Sequence, residues 1–296
     1  MLVGTVQVEP KGVAVDETAQ GRLVVVATPI GNLGDLTPRA LEVLASADVV
    51  YCEDTRRSRT LFSAHGLTPK SPLQSLHEHN EAERCAQVVE RVRAGQVVAL
   101  VSDAGTPGIS DPGERVVAAV AEAGLEVTSA PGPSAVVAAL SISGLASERF
   151  IMEGFLPRKG AERQRRIEQW GHEARTIVFY ESPQRVGATL GELAARWPLR
   201  RVVIARELTK LHEEVVRGTL GVVARRYEDR EPLGEIVVML EGVVEERVVD
   251  DDAIRRALTL AFLEGASTRD AVDEVAAALG VARRHVYQIA LDRNDE

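Results

Sequence analysis

Residues 97–113 read VVALVSDAGTPGISDPG, an apolar run that leads into a loop rich in glycine and proline. Residues 23–35, LVVVATPIGNLGD, repeat this design, and an amphipathic helical pattern follows each loop. In an open α/β sheet, ligands bind at such loops, because backbone N–H groups and helix dipoles point outward from the carboxyl ends of the strands. Either loop alone is also explained as a sharp strand-to-helix turn. Their occurrence in corresponding positions predicts a shared ligand site.

Short Val-rich apolar runs alternate with helical patterns through the first half of the chain. Runs of this kind are typical of parallel strands covered on both faces. The predicted strands are Leu23–Ala27, Val49–Cys52, Val97–Val101 and Leu125–Ser129. The predicted helices are one capped by Thr37 and others over Ser58–His65, Glu81–Arg93, Glu114–Ala123 and, with Ser134 as its N-cap, Ser134–Ser141. This alternation predicts a doubly wound parallel sheet over residues 22–146.

The pattern changes after Gly144. The predicted strands of the second half are Ile151–Phe155, Thr176–Tyr180, Val202–Ala205 and Ile236–Leu240. A charged helix is expected over Ala161–Trp170, and the Thr/Val-rich stretch Glu213–Leu220 is expected to form a hairpin. This mixture predicts an α+β domain with a more antiparallel sheet over residues 147–242. Residues 1–21 have neither a helical nor an alternating period, which predicts a flexible arm.

Three helical segments with no strand between them end the chain, at Asp251–Leu263, Thr268–Leu279 and Ala282–Leu291. Residues 267–270, STRD, have the pattern of a capping box that opens the middle segment. We therefore expect a C-terminal helical domain over residues 250–296. It is either helix-turn-helix-like, with Arg283 and Arg284 exposed at its second helix, or a plain three-helix packing unit.

Composition excludes several classes of protein. Cys52 and Cys85 are the only cysteines among 296 residues, so a disulfide scaffold or a thiolate zinc site is not expected. No run approaches the roughly 18 uninterrupted apolar residues of a membrane span. We expect a cytoplasmic protein. The formal net charge of −9 argues against a general nucleic-acid coat, so any contact with nucleic acid would use local basic clusters.

Two further groups of residues carry ionisable side chains of interest. Lys210 follows the predicted strand Val202–Ala205 in a segment with Arg206 and Glu207, and it is either a general base or one member of a surface ion pair. His77 and His79 are spaced as a metal-ligand pair, but without a nearby third ligand the pattern is more typical of a polar loop. The sequence therefore predicts no metal site.

Eight motifs, in order along residues 22–242, resemble the tetrapyrrole (corrin/porphyrin) methylase superfamily, and within it the branch that methylates ribosomal RNA. They are TPIGNLGDLTPRALE, CEDTRRS, LHEHN, LVSDAGTPGISDPG, APGPSA, EGFLP, FYESPQR and ARELTK. The resemblance implies a two-domain tetrapyrrole-methylase-like α/β fold that binds S-adenosylmethionine in the cleft between its domains. It also implies a homodimer that methylates the ribose 2′-hydroxyl of a cytidine in 16S rRNA, in the decoding centre of the small ribosomal subunit.

The same resemblance implies the cofactor-binding residues. They are Ile30, Ala104, Gly105, Thr106, Ser110, Ser134, Ala135 and Glu181. Thr106 stands where the tetrapyrrole enzymes have the aspartate of a Gly-Asp-Pro motif, and Asp103 is the nearby carboxylate that would replace it.

Methyl transfer from a sulfonium to a hydroxyl needs in-line alignment and the removal of one proton. Asp54 and Lys210 are the predicted catalytic residues, with Glu53 and the two histidines as other candidates for the base. The arginines and lysine expected to grip RNA phosphates are Arg56, Arg57, Arg158, Lys159, Arg283 and Arg284.

Two other functions remain open for such a chain. A tetrapyrrole or precorrin methyltransferase would have a broad apolar trough and no use for the arginine clusters. A non-catalytic ribosome-binding factor would bind RNA without binding the cofactor.

Overall fold

The computed structural model describes residues 21–228, 232–243 and 250–292. The predicted arm, residues 1–21, lies outside these residues except for Gly21. The described chain falls into two compact units, divided between Val243 and Val244. No helix in these ranges is long and apolar enough to cross a membrane.

Five parallel strands form the first sheet, in the order β3-β2-β4-β1-β5. The strands are β1 Arg22–Val26, β2 Val49–Cys52, β3 Gln74–Ser75, β4 Val97–Val101 and β5 Glu126–Ala130. The helices that follow them are α1 Pro38–Ser46, α2 Thr55–Ala64, α3 Glu81–Arg93, α4 Glu114–Glu122 and α5 Ala135–Ser143. Their alternation confirms the predicted α/β class with a doubly wound parallel sheet.

A second sheet has the order β6-β7-β10-β8-β9, in which only β6 and β7 are parallel neighbours. Its strands are β6 Phe150–Phe155, β7 Thr176–Glu181, β8 Arg201–Arg206, β9 Glu214–Thr219 and β10 Ile236–Leu240. Its helices are α6 Ala161–Trp170, α7 Pro183–Arg196 and α8 Leu220–Tyr227. The mixed sheet confirms the α+β prediction for this half of the chain.

Two local predictions are wrong. Glu213–Leu220 is not a hairpin by itself: it supplies the single strand β9, which pairs with β8, and Leu220 already begins α8. Helix α2 begins at Thr55 rather than Ser58, because the Asp54 carboxylate caps it by accepting the backbone N–H of Arg56.

The two sheets belong to one compact unit and share an apolar cluster. Helix α5, which follows the first sheet, packs Val136 and Leu140 against Val178, Val203 and Val237 of the second sheet. Ser134 occupies its N-cap position as predicted, but the side chain makes no capping hydrogen bond. The division into domains 22–146 and 147–242 stays a prediction.

The C-terminal unit has its own core. Its helices are α9 Asp251–Leu263, α10 Thr268–Leu279 and α11 Arg283–Asp292. Leu258, Val272 and Val286 are buried where the three helices meet. The hydroxyl of Ser267 accepts the N–H of Asp270 and donates to its carboxylate, which agrees with the predicted capping pattern.

Candidate active site

The loops that leave β1, β4 and β5 meet at one cavity of about 350 Å³. The carboxyl end of β7 and the amino end of β10 face the same space, because these strands are antiparallel neighbours that pair Glu181 with Ile236. Eight residues that the sequence assigns to the cofactor line it: Ile30, Ala104, Gly105, Thr106, Ser110, Ser134, Ala135 and Glu181. The structure thus brings together residues from four separate segments, and their role as cofactor ligands stays a prediction.

Direct hydrogen bonds hold the three loops against one another. Thr28 and Gly105 exchange backbone hydrogen bonds of 2.8 and 3.0 Å. The Thr28 hydroxyl donates to the carbonyl of Ser102 at 3.2 Å, and the Thr106 hydroxyl donates to the carbonyl of Pro133 at 3.2 Å. These bonds remove much of the freedom of segments rich in glycine, so the cavity wall is preorganised.

The far end of the loop after β4 is anchored by a residue that the sequence did not single out. Glu81, in the first turn of α3, is buried, and its carboxylate accepts the N–H groups of Gly113 and Arg115 at 2.9 and 3.0 Å. Those groups lie at the amino end of α4, where a helix leaves its first N–H groups unpaired. Glu81 therefore supplies a cap from outside the helix and fixes the loop that lines the cavity.

Asp111 is the carboxylate of this loop that lines the cavity. Burial raises its pKa to about 6, the nearby charge of Glu53 adds to the rise, and a hydrogen bond with Ser102 lowers part of it. The preceding residue, Ser110, has the left-handed conformation with φ of 62°, which is uncommon for a residue with a side chain. A carboxylate with a pKa near neutrality at the edge of a pocket is suited to proton transfer.

Asp103 does not line this cavity. Its carboxylate accepts the backbone N–H of Asp54 at 2.9 Å and lies 3.5 Å from Nε of Arg57. It faces a smaller pocket of about 220 Å³, which it shares with Thr28, Arg57 and Ser102. Asp103 thus joins the loops after β2 and β4, and Asp111 is the loop carboxylate at the cavity.

The two acidic candidates for the base lie at the start of α2. Hydrogen bonds from Arg56 lower the pKa of Asp54 to about 2, and Asp54 lines neither pocket. Burial raises the pKa of Glu53, and repulsion from Asp103 adds to it. The bonds of Asp54 favour a structural role as the cap of α2.

Lys210 lies between two carboxylates. Its ammonium is 2.7 Å from Oε1 of Glu207 and 3.0 Å from Oε2 of Glu235, a cavity-lining residue. Burial lowers the pKa of Lys210, but these hydrogen bonds outweigh burial and leave the pKa raised. A Cβ on Gly31 would lie 2.5 Å from Cγ of Lys210, so glycine lets the loop after β1 pack on the lysine stem. Lys210 is therefore held protonated at neutral pH, which disfavours it as a base.

Glu181 lines the cavity with its side chain turned into the second half. The carboxylate accepts the Thr189 hydroxyl at 2.7 Å and the Ser182 N–H at 2.9 Å, and lies 3.3 Å from Nε of Arg185. These contacts tie the end of β7 to the first two turns of α7. Glu181 thus shapes the wall of the cavity.

The predicted RNA-binding residues are exposed but differ in their ion pairs. Arg56 pairs with Asp54, Arg57 with Asp103, and Arg283 with Asp273. The other three of these six residues, Arg158, Lys159 and Arg284, make no ion pair with any residue that the structure describes. The structure thus separates cations already used within the protein from cations open to a partner.

His77 and His79 lie close together, with ring centroids 6.0 Å apart. Within the described parts of the chain, no group of three or more histidine, cysteine, aspartate or glutamate residues could hold a metal ion. Neither histidine lines the cavity.

Comparison with known proteins identifies the class. The family model for Tetrapyrrole (Corrin/Porphyrin) Methylases matches residues 22–224, more than half of the chain. The solved structure of the cobalamin biosynthetic enzyme cobalt precorrin-4 methyltransferase superposes with a TM-score of 0.54 at 18% identity, covering 78% of this chain and 98% of its own. The two share a fold. The chain thus has the fold of the tetrapyrrole methylases and is a methyltransferase of that class.

Closer relatives carry one name. Ribosomal RNA small subunit methyltransferase I of Synechocystis sp. is 42% identical over 275 residues, which cover 92% of this chain and 98% of the relative. The protein of that name from Mycobacterium tuberculosis is 44% identical over 280 residues, covering 94% and 97%. A model for the RsmI C-terminal HTH domain matches residues 248–294, which favours the helix-turn-helix alternative. The chain belongs to the family of ribosomal RNA small subunit methyltransferase I, within the tetrapyrrole methylases.

Proposed function

We propose that this methyltransferase transfers a methyl group from S-adenosylmethionine to the ribose 2′-hydroxyl of a cytidine in 16S rRNA of the small ribosomal subunit. The relatives' name supports an rRNA substrate over a tetrapyrrole. The observation that carries the proposal is the convergence of eight cofactor residues, implied by the motifs, on one cavity. If the cavity were only a gap in the packing, we would not expect the motif residues of four separate segments to meet at it.

The cavity fits the cofactor in size and chemistry. Its volume of about 350 Å³ lies within the range of small-molecule sites. Ile30, Ala135 and Val237 offer apolar surface suited to an adenine ring, while Asp111 and Glu235 offer negative charge suited to the cationic groups. When bound there, S-adenosylmethionine supplies an electrophilic methyl group. The protein contributes loops that hydrogen bonds hold in place around the cavity.

Asp111 is the residue we propose as the base for the ribose hydroxyl. It lines the cavity, and with a pKa of about 6 it is mostly ionised at neutral pH and still basic enough to accept a proton. Asp54 is held by Arg56 with a pKa of about 2, and Lys210 is protonated between two glutamates. Neither of these earlier candidates offers a comparable acceptor at the cavity.

The proposal extends to the partners of the enzyme. The exposed arginines and lysine are proposed to grip phosphates of the subunit RNA, and the tail helices to add a second contact through Arg284. We also propose a homodimer, which light scattering on the purified protein tests. A ribosomal substrate supports a cytoplasmic location.

Methyl transfer to unmodified small subunits tests the proposal directly. A 2′-O-methyl group blocks alkaline cleavage of the adjacent phosphodiester, because the attacking hydroxyl is gone. With label from the cofactor, alkaline digestion should leave one protected dinucleotide that contains cytidine. Label on a base atom would contradict the 2′-O assignment, and label only on added uroporphyrinogen or a precorrin would favour the tetrapyrrole alternative. Subunit binding without any transfer would favour a non-catalytic ribosome-binding factor.

A further inference from the structure

A second concave surface of about 610 Å³ adjoins the cavity and shares Phe155 and Ser182 with it. Its remaining walls include Pro157, Arg158 and Arg185. We name this surface the Phe155 groove. None of its unshared residues is assigned to the cofactor by the sequence motifs.

The backbone is built so that Phe155 faces outward at the mouth of the cavity. Strand β6 contains a bulge between Met152 and Phe155, and this bulge places Phe155 opposite Tyr180. A regular strand would place Gly154 there. Gly154 has φ of 66°, a conformation that glycine adopts without strain. Bulges of this kind redirect a side chain, and this one puts an aromatic ring on the cavity side of the sheet.

Phe155 is 56% exposed, although its ring centroid lies 5.4 Å from that of Tyr180. One edge is thus supported while a large part of the ring stays open to solvent. Single-stranded nucleic acids stack unpaired bases on aromatic rings held in this manner. The ring is a suitable platform for one base.

Positive charge lies beside the ring. Arg158 is exposed and makes no ion pair with any described residue. The amino end of the fourteen-residue helix α7 also borders the groove, but it offers few free N–H groups: Pro183 has none, and Glu181 already accepts the N–H of Ser182. The phosphate contact therefore rests on Arg158, because an unpaired arginine favours a phosphate. Arg185, which donates to the carbonyl of Leu156 at 2.8 Å, is fixed as part of the wall.

We propose that the Phe155 groove binds the nucleotide next to the methylated one, in single-stranded RNA, with its base stacked on Phe155 and its phosphate at Arg158. The proposal rests on the proposed function, because it takes the target nucleotide to lie in the adjoining cavity. An exposed aromatic ring and an arginine without an ion pair, within one groove, match the base and the phosphate of a single nucleotide.

Two measurements on the full-length protein test this groove. The first is binding of a fluorescein-labelled oligoribocytidylate by anisotropy, and the second is binding of S-adenosylmethionine by calorimetry. Phe155→Ala should weaken oligonucleotide binding roughly tenfold or more, while Phe155→Trp should restore it. Arg158→Ala should weaken it and reduce the salt slope by about one unit. Affinity for S-adenosylmethionine should stay within about twofold in Arg158→Ala, a change of less than roughly 0.5 kcal/mol. Because Phe155 also borders the cavity, Phe155→Ala should weaken oligonucleotide binding more than it weakens S-adenosylmethionine binding.

Arg93→Ala is the matched control for Arg158→Ala. Arg93 is also exposed, but it precedes β4 and therefore lies toward the amino ends of the strands of the first sheet, away from the loops that line the cavity. It should leave oligonucleotide binding unchanged.

The outcomes separate this proposal from the proposed function. Wild-type oligonucleotide affinity in Phe155→Ala, or no binding by the wild type, would overturn the groove proposal even if small subunits are methylated. Weaker S-adenosylmethionine binding in Phe155→Ala with unchanged oligonucleotide binding would overturn it as well and assign the ring to the cofactor. Oligonucleotide binding that depends on Phe155, without methyl transfer to subunits, would uphold the groove and reject the proposed reaction.

Discussion

Thr28 and Gly105 form an isolated antiparallel bridge, with backbone hydrogen bonds of 2.8 and 3.0 Å in the two directions. The bridge joins loops that lie 77 residues apart in the sequence. Gly105 has φ of 83°, a conformation that disfavours residues with a side chain. The bridge thus places a conformational requirement for glycine at the wall of the candidate cofactor cavity.

Replacing Gly105 with valine should abolish the binding of S-adenosylmethionine. A Cβ there would make only an ordinary van der Waals contact, 3.5 Å from Cγ2 of Ile30. The loss is expected because the two further carbons of valine would occupy space in the cavity that Gly105 lines, and because a branched side chain at positive φ adds strain of about 1–3 kcal/mol. Calorimetric titration measures the affinity. Gly66→Val is the matched control, because Gly66 has φ of 64° with nothing within 4 Å of its added Cβ. A folded Gly105→Val protein with wild-type affinity would remove this loop from the cofactor site.

Replacing Glu81 with alanine should lower the free energy of unfolding by about 2–4 kcal/mol, because it leaves two N–H groups at the start of α4 without their acceptor. Glu81→Gln keeps one acceptor oxygen and should cost less. Equilibrium unfolding in urea measures both changes. Glu83→Ala, at an exposed position on the same helix turn, is the control and should stay near wild type. Equal stabilities for Glu81→Ala and Glu83→Ala would show that the buried carboxylate does not anchor the loop.

The periodic parts of the fold could be predicted from the sequence. Val49–Cys52, Val97–Val101 and Glu81–Arg93 have the predicted bounds, because apolar period and length distinguish buried strands from amphipathic helices. The two-residue strand Gln74–Ser75 has no apolar pattern to reveal it. Helix α7 was not predicted, although the sequence carries a usable signal for it. Pro183 directly follows Ser182, an order that is typical of a helix start.

Only part of the candidate site could be predicted from the sequence. The motifs follow predicted strands, so the position of the cavity and most of its lining residues could be inferred from them. Which carboxylate of one loop faces the cavity depends on backbone conformation, here the left-handed Ser110 beside Asp111. The sequence suggested Asp103, which instead accepts the N–H of Asp54. Likewise, the pairing of Lys210 with Glu235, 25 residues away, depends on tertiary contact.

The exposed arginines should contribute unequally to binding of the small subunit. Arg284 makes no ion pair with any described residue, whereas Arg283 would first have to give up Asp273. Arg284→Ala should therefore lower the salt slope of subunit binding by about one unit, and Arg283→Ala by less. Filter binding at several salt concentrations measures the slopes, and the affinity for S-adenosylmethionine serves as the control. An unchanged slope in a variant with both Arg283→Ala and Arg284→Ala would show that neither residue contacts a phosphate of the RNA.

Replacing Asp111 with asparagine should reduce methyl transfer by about 10²–10⁴-fold if Asp111 accepts the ribose proton. In the wild type, the rate under subsaturating subunits should rise with pH through the pKa of about 6 and then level off. Asp54→Asn is the discriminating variant: it should keep this pH profile, because Asp54 has a pKa of about 2 and lies outside the cavity. A wild-type rate in Asp111→Asn would reject Asp111 as the base.

The contribution of Asp111 to stability should fall with rising pH, whereas the rate of methyl transfer should rise. The two pH dependences therefore distinguish an effect on catalysis from an effect on folding. The native pKa of about 6 exceeds the ordinary value of 3.8, so the native state binds the proton more tightly than the unfolded state. The contribution of Asp111 to stability is therefore fully present below pH 3.8 and is lost as the pH rises through about 6. Asparagine does not titrate, so Asp111→Asn should gain in Tm relative to wild type across this window and hold the gain above it. A constant difference in Tm from pH 4 to 8 would show that this carboxyl has no raised pKa in the folded protein.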